Sequence, residues 1–136
     1  MARRFRAIHT EQVNTRIAPD AAALRRRLDA IVPADRVLMR PIDLAAWASG
    51  ASFYRPVPRA VVLAASVDEV QALFRLSHDV GVPLTFRASG TSLSGQAVTD
   101  GILVEVKRHW RAIEVLDEGA RVRAQPGVLG GQVNKA

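Results

Sequence analysis

The sequence predicts an α+β fold: a βαβ unit followed by a further strand and a hairpin, with an N-terminal helical extension. Three observations predict it. Ala60-Val61-Val62-Leu63-Ala64 and Ile102-Leu103-Val104-Glu105-Val106 are short, bounded, β-branched apolar runs, the pattern of buried strands. After the first run, Ser66 and Glu69 stand at capping-box spacing at the head of a helical stripe that Gly81 closes. Asp117-Glu118-Gly119-Ala120 separates two short segments of strand character, a hairpin signal. With 136 residues, 49% of them apolar, the chain suffices for one domain with a modest core.

In chain order, residues 1–19 are polar and aperiodic and are expected to form a basic flexible arm. Asp20 caps a helix over 21–31, whose Leu24, Leu28 and Ile31 make one apolar stripe, and Pro33 ends it. A helical turn around Leu44-Ala45-Ala46-Trp47 and an irregular link through Gly50 follow, and Pro56 and Pro58 impose extended chain. Residues 20–54 thus read as a helical N-terminal extension, and 55–136 as the second unit.

In that unit the first strand leads into a helix running to about Val80, with Val70, Leu73, Phe74 and Val80 expected to face the core. Pro83 starts the strand Leu84-Thr85-Phe86-Arg87, and the strand–helix–strand order predicts parallel strands. Residues 88–101 form a small, polar, glycine-bearing loop, and the strand over 102–106 comes next. Residues 112–116 and 121–124 form the hairpin, Pro126-Gly127 breaks it, and 128–133 begin a helix. This order of elements is expected to be the front part of a longer protein.

Composition excludes several chemistries. There are no cysteines, hence no disulfide framework, thiolate zinc site, cysteine-ligated iron–sulfur cluster or cysteine nucleophile in this sequence. No run approaches the roughly 18 apolar residues that span a bilayer. Seven arginines in residues 1–30 set most of the formal charge of +6. A solvated basic arm and helix face accounts for them, and no nucleic-acid partner is expected. Phe5, Ala7 and Ile8 are broken up by Arg6, His9 and Thr10, so no signal peptide is read and a cytoplasmic chain is expected. His9, His78 and His109 have no metal-ligand spacing to one another, and no metal or catalytic residue is assigned.

The 88–101 loop is the chemically suggestive feature. Ser89, Gly90, Thr91, Ser92, Ser94 and Gly95 crowd into seven positions. Short side chains leave backbone N–H groups accessible, and successive N–H groups can converge on a phosphate oxygen. Arg87 stands at the strand end with a positive charge. An ordinary surface loop has a similar composition, so both readings stay open on composition alone. The loop is neither a P-loop nor a dinucleotide fingerprint, because it lacks Gly-Lys-Ser/Thr and the G-x-G-x-x-G spacing.

The set Pro58-Arg59-Ala60-Val61-Val62, Ser66-Val67-Asp68-Glu69-Val70, Gly81-Val82-Pro83-Leu84, Arg87-Ala88-Ser89-Gly90-Thr91-Ser92-Leu93-Ser94-Gly95-Gln96 and Pro126-Gly127-Val128 carries a resemblance. It resembles the first half of the FAD-binding (PCMH-type) domain of the vanillyl-alcohol oxidase / p-cresol methylhydroxylase superfamily. The stretch 86–100 is most similar to D-lactate dehydrogenases and related 2-hydroxy-acid dehydrogenases, in the branch that carries a C-terminal iron–sulfur region. One departure stands out: Gly50, where the family usually has Asp, precedes Ala51-Ser52-Phe53-Tyr54.

The resemblance implies FAD as cofactor. Arg87, Ala88, Ser89, Gly90, Thr91 and Ser92 would hold its pyrophosphate, Gly95 and Gln96 would complete the loop wall, and Gly127 and Val128 would lie close to the cofactor. It implies a small 2-hydroxy acid, D-lactate or a relative, as substrate of the complete enzyme, which would be cytoplasmic or peripheral to the inner face of the membrane. The helix and hairpin would scaffold the loop. Nothing in 1–136 carries over as catalytic. The competing expectation is a truncated, non-catalytic module or subunit that completes its flavin site with a partner and self-associates through an incomplete core.

Overall fold

The structure, a computed structural model, describes residues 18–136. Most of the expected basic arm, with Arg3, Arg4, Arg6, Arg16 and His9, lies outside the described residues. Ten elements follow in order: α1 (Ala21–Asp29), β1 (Val37–Leu38), α2 (Pro41–Trp47), β2 (Ala60–Leu63), α3 (Val67–Val80), β3 (Leu84–Arg87), β4 (Ile102–Glu105), β5 (Ile113–Leu116), β6 (Arg121–Ala124) and α4 (Gly130–Val133).

The main sheet has the order β1-β2-β4-β3. β2 and β3 are parallel, as expected, but they are not neighbours. β4 lies between them and pairs with both in parallel, Val62 and Phe86 flanking Val104 from either side. The right-handed crossover preferred by βαβ units leaves room for a later strand to be inserted in this way. β1 adds antiparallel to the outer edge of β2.

β2 and β4 are buried along their whole length, so their runs show no alternation; each face is covered. On one face α1 and α3 bury Leu24, Leu28, Leu73, Leu76 and Val80 against Val62, Ile102 and Val104. On the other face Val61, Leu63 and Leu103 pack against Leu38, Leu44 and Trp47 of the extension.

The caps behave as their chemistry dictates. The Asp20 carboxylate accepts from the Ala23 N–H at 2.7 Å, and Ser66 Oγ accepts from the Glu69 N–H at 3.2 Å. Gly81 ends α3 in the left-handed conformation, φ 66°. α1, by contrast, ends at Asp29, ahead of Pro33, because Ala30 already closes it with a bond to the Leu28 carbonyl. The Glu69 carboxylate does not close a reciprocal box alone. It accepts from the Ala65 N–H at 2.7 Å and takes a two-pronged contact from Arg36, at 2.5 and 2.9 Å. Burial opposes its charge, but these hydrogen bonds, with one from the Ser66 backbone, outweigh it and hold the carboxyl below the usual range.

One core expectation fails. Phe74 is 55% exposed, and Leu76 takes the buried place. α3 packs on the β3 side of the sheet, and Phe74 lies against the exposed Phe86 of that edge strand, at 5.5 Å between ring centroids. The hairpin forms as expected, β5 against β6, but as a separate two-stranded sheet.

Candidate functional site

β2, β4 and β3 run parallel, so their carboxyl ends lie on one edge of the sheet, where open parallel sheets bind ligands. Both segments singled out in the sequence come to this edge. The 88–101 loop leaves β3, and the Val106 N–H donates to the Arg87 carbonyl at 2.9 Å, tying the end of β4 to the start of the loop. Gly127 reaches the same edge from the hairpin, its N–H donating to the Trp110 carbonyl at 2.8 Å. Trp110 in turn donates its indole N–H to the Ala64 carbonyl after β2, at 2.8 Å. No hydrogen bond joins Gly127 or Val128 directly to the loop among the described residues.

Within the loop, Ala88 is half-buried against the main core, while Ser89, Thr91 and Gln96 are exposed. Gly90 is buried and left-handed, φ 68°, and Gly95 is left-handed at φ 84°. Ser92 Oγ donates to Gln96 Oε1, which pins the loop's two halves together. From Ala88 to Ser94, no backbone N–H donates to another group among the described residues. A left-handed glycine inside a run of undirected N–H groups is the arrangement that gathers donors around an anion.

Gly127 is buried for a packing reason. A Cβ there would lie 2.4 Å from the Lys107 carbonyl oxygen and 2.5 Å from that of Trp110. Beside it, Glu105, Lys107, Arg108, Arg111 and Leu129 line a hollow of about 280 Å³. The buried Glu105 carboxylate accepts from the Lys107 and Arg108 N–H groups, each at 3.0 Å, and so fixes the turn that carries these cations. Val128 is half-buried next to Gly127, its N–H donating to the Gln125 carbonyl. His78 and His109 are exposed, and no group of three His, Cys, Asp or Glu that could hold a metal occurs among the described residues.

The hairpin is not what holds the loop. Residues 47–54 of the extension are. Arg87 donates to the Ser49 carbonyl at 2.8 Å and to the Trp47 carbonyl at 3.2 Å, with its guanidinium 5.1 Å from the centre of the Trp47 ring. The Ala51 N–H donates to the Gly90 carbonyl at 3.0 Å. Tyr54 lies so close to Gly95 that a Cβ there would come within 2.7 Å of the ring. Burial pushes the Arg87 guanidinium below its ordinary value. Gly50 faces the same loop: a Cβ on it would stand 3.2 Å from the Gly90 carbonyl oxygen, so this position leaves little room for the family's usual Asp.

The loop's undirected donors suit a phosphate-bearing group. A family profile described as "FAD binding domain" matches residues 58–136. The glycolate oxidase subunit GlcD of Escherichia coli strain K12 is 35% identical over 89 residues, covering 64% of this chain and 18% of that protein. D-2-hydroxyglutarate dehydrogenase of Pseudomonas putida is 37% identical over 89 residues, covering 62% of this chain and 9% of that protein. The chain therefore spans less than a fifth of the length of either relative. Among solved structures, p-cresol methylhydroxylase with substrate bound superposes with a TM-score of 0.67 at 17% identity, covering 87% of this chain and 25% of that one. The 6-hydroxy-D-nicotine oxidase of Arthrobacter nicotinovorans gives 0.63 at 24% identity, covering 73% and 22%. At these identities the likeness concerns the fold. The matched stretch runs from just before β2 through α4 and takes in the donor loop, and by that match the chain belongs to the FAD-binding domain family.

Proposed function

We propose that the chain forms the first part of the FAD-binding region of a larger flavin-dependent oxidoreductase, one that oxidises a small 2-hydroxy acid. The run of undirected N–H groups from Ala88 to Ser94, bent by left-handed Gly90, is the observation that carries this reading. In it, the backbone N–H groups of Ala88, Ser89, Gly90, Thr91 and Ser92 hold the pyrophosphate, with the Ser89 and Thr91 hydroxyls exposed beside them. Gly95 and Gln96 wall the loop, and Gly127 and Val128 line the cofactor further along the same sheet edge. When bound, FAD supplies the hydride acceptor. The residues of this chain bind and orient it; none of them is assigned a proton to move. Two relatives are named for glycolate and 2-hydroxyglutarate, which are both 2-hydroxy acids. Their shared chemistry supports that substrate class, within which D-lactate is one member.

The test is flavin content in the full-length product of the gene. Gly90→Val forces a β-branched residue to φ 68° and drives its Cβ to 2.5 Å from the Arg87 guanidinium. FAD retention is expected to be lost. Ser89→Asp, at an exposed position, places a negative charge beside the phosphates without disturbing the core. It is expected to weaken FAD binding by at least about tenfold at an unchanged melting temperature. Normal flavin content in both variants would sink the loop assignment.

A further inference from the structure

The family match begins at residue 58, yet the hydrogen bond that reaches Gly90 from outside the loop and the ring that covers Gly95 come from residues before it. Arg87 reaches back across the loop's entrance. One guanidinium nitrogen contacts the carbonyls of both Trp47 and Ser49, and the cation lies over the Trp47 indole. Trp47 is itself held, because it packs with Leu44 on the buried α2 face of the sheet, against Val61, Leu63 and Leu103. A second tie, from the Ala51 N–H to the Gly90 carbonyl, fixes the orientation of the peptide that follows Gly90. Tyr54 covers Gly95, where the loop turns back. Arg87, Trp47 and Ala51 thus engage the loop at both sides of Ser89, one of the positions that would meet an anion.

From this geometry we infer that residues 47–54 are an integral part of the cofactor site, and that Arg87 is a positioning residue, not a charge placed on the phosphates. Its guanidinium serves as a clamp that sets the donor loop against the extension. The inference rests on the function proposed above in one respect only, that the ligand so positioned is FAD. The clamp has its own signature. A guanidinium is planar, stacks on an indole and holds fixed donors at a distance, whereas an ammonium keeps the charge and loses the geometry. If charge on the phosphates were the role of Arg87, Lys would replace it. If clamping is the role, Lys would fail nearly as badly as Ala.

The experiment uses the full-length protein with Arg87→Lys, Arg87→Ala, Trp47→Ala, Trp47→Phe and the Arg87→Ala/Trp47→Ala double variant. Two quantities are read: amide hydrogen exchange in the FAD-free protein, and the dissociation constant for added FAD. The expected result is that Arg87→Lys, Arg87→Ala and Trp47→Ala each speed exchange of the Ala51 amide, whose N–H donates to the Gly90 carbonyl, and raise the FAD dissociation constant by about tenfold. Exchange in β2 and β4 stays unchanged, Trp47→Phe restores both quantities, and the double variant is no worse than either single one. Wild-type affinity and Ala51 protection in Arg87→Lys, or additive losses in the double variant, would overturn the clamp. The two failures are distinguishable: an unmodified protein that takes up no FAD defeats the proposed function, while Ala51 exchange indifferent to Trp47→Ala defeats the clamp whatever the cofactor does.

Discussion

Strands β4 and β6 are each four residues long, and they are stabilised by different physics. β4 is buried throughout, paired on both edges and covered on both faces. β6 is exposed throughout, has one partner, and sits in a sheet of two. In β4 the side chains are apolar except Glu105, and the stabilisation scales with area removed from water. In the hairpin it comes from cross-strand neighbours: Glu114 opposite Arg123 with an ion pair at 2.6 Å, Val115 opposite Val122, and Asp117 paired to Arg121 beside the turn. A two-stranded ribbon of this kind is marginal by itself. It nevertheless holds Gly127 at the carboxyl edge of the main sheet, because Gln125 and Gly127 are bonded back to Ala112 and Trp110. The rigid sheet carries the donor loop, and a ribbon held by few bonds carries Gly127 to the same sheet edge.

Ile102→Ala should show the contrast most strongly. Ile102 is fully buried between α1, α3 and the sheet, so truncation should cost about 2–5 kcal/mol, read as a lower denaturant midpoint at an unchanged slope. A loss below about 1 kcal/mol would mean that the sheet core is not packed as described.

An intermediate effect is expected at the Arg36–Glu69 pair, which ties the extension to α3. Its carboxyl is held below the usual range in the folded state. The stabilisation is therefore present above the ordinary carboxylate value of about 4.3 and lost as pH falls through the folded value. Melting temperature should fall on acidification, and Glu69→Gln should flatten that fall while lowering stability at neutral pH. An identical acid profile in the variant would remove the pair from the account.

The smallest effect belongs to the hairpin. Glu114→Ala removes an exposed ion pair and should cost no more than about 0.5 kcal/mol. A larger loss, or a change in FAD affinity, would show that the ribbon is coupled to the site more tightly than its few bonds imply.

The legible parts of this molecule are those whose cause is local. Ser66 three residues before Glu69, Gly81 after Val80, and the bounded runs of β2 and β4 each announce themselves within a few residues. Strand order is different: nothing local in Ile102-Leu103-Val104-Glu105 says that it inserts between β2 and β3. β1 is only Val37-Leu38, too short for any period. Phe74 and Leu76 lie about 200° apart around α3, and two overlapping stripes through Leu73, one with Val70 and Phe74 and one with Leu76 and Val80, both fit a helical period. The choice is made by where the sheet ends. At the site, the glycines and hydroxyls of 88–96 were readable as donors. The partners of Arg87 were not, since Trp47 lies 40 residues away and only the fold brings its carbonyl into reach. An Arg closing a strand and a Trp closing an earlier helix is a weak signal that gains meaning only in three dimensions.

The position of β4 also has a consequence in time. During synthesis β2 emerges after β1 and can pair only with its two residues; β3 follows before its own partner, β4, has been made. Both wait for residues 102–105, and until those leave the ribosome the edges of β2 and β3 stay open beside one another. The strand of the main sheet that is made last takes an interior place, and the donor loop, which joins β3 to it, can be fixed at both ends only once that strand has paired.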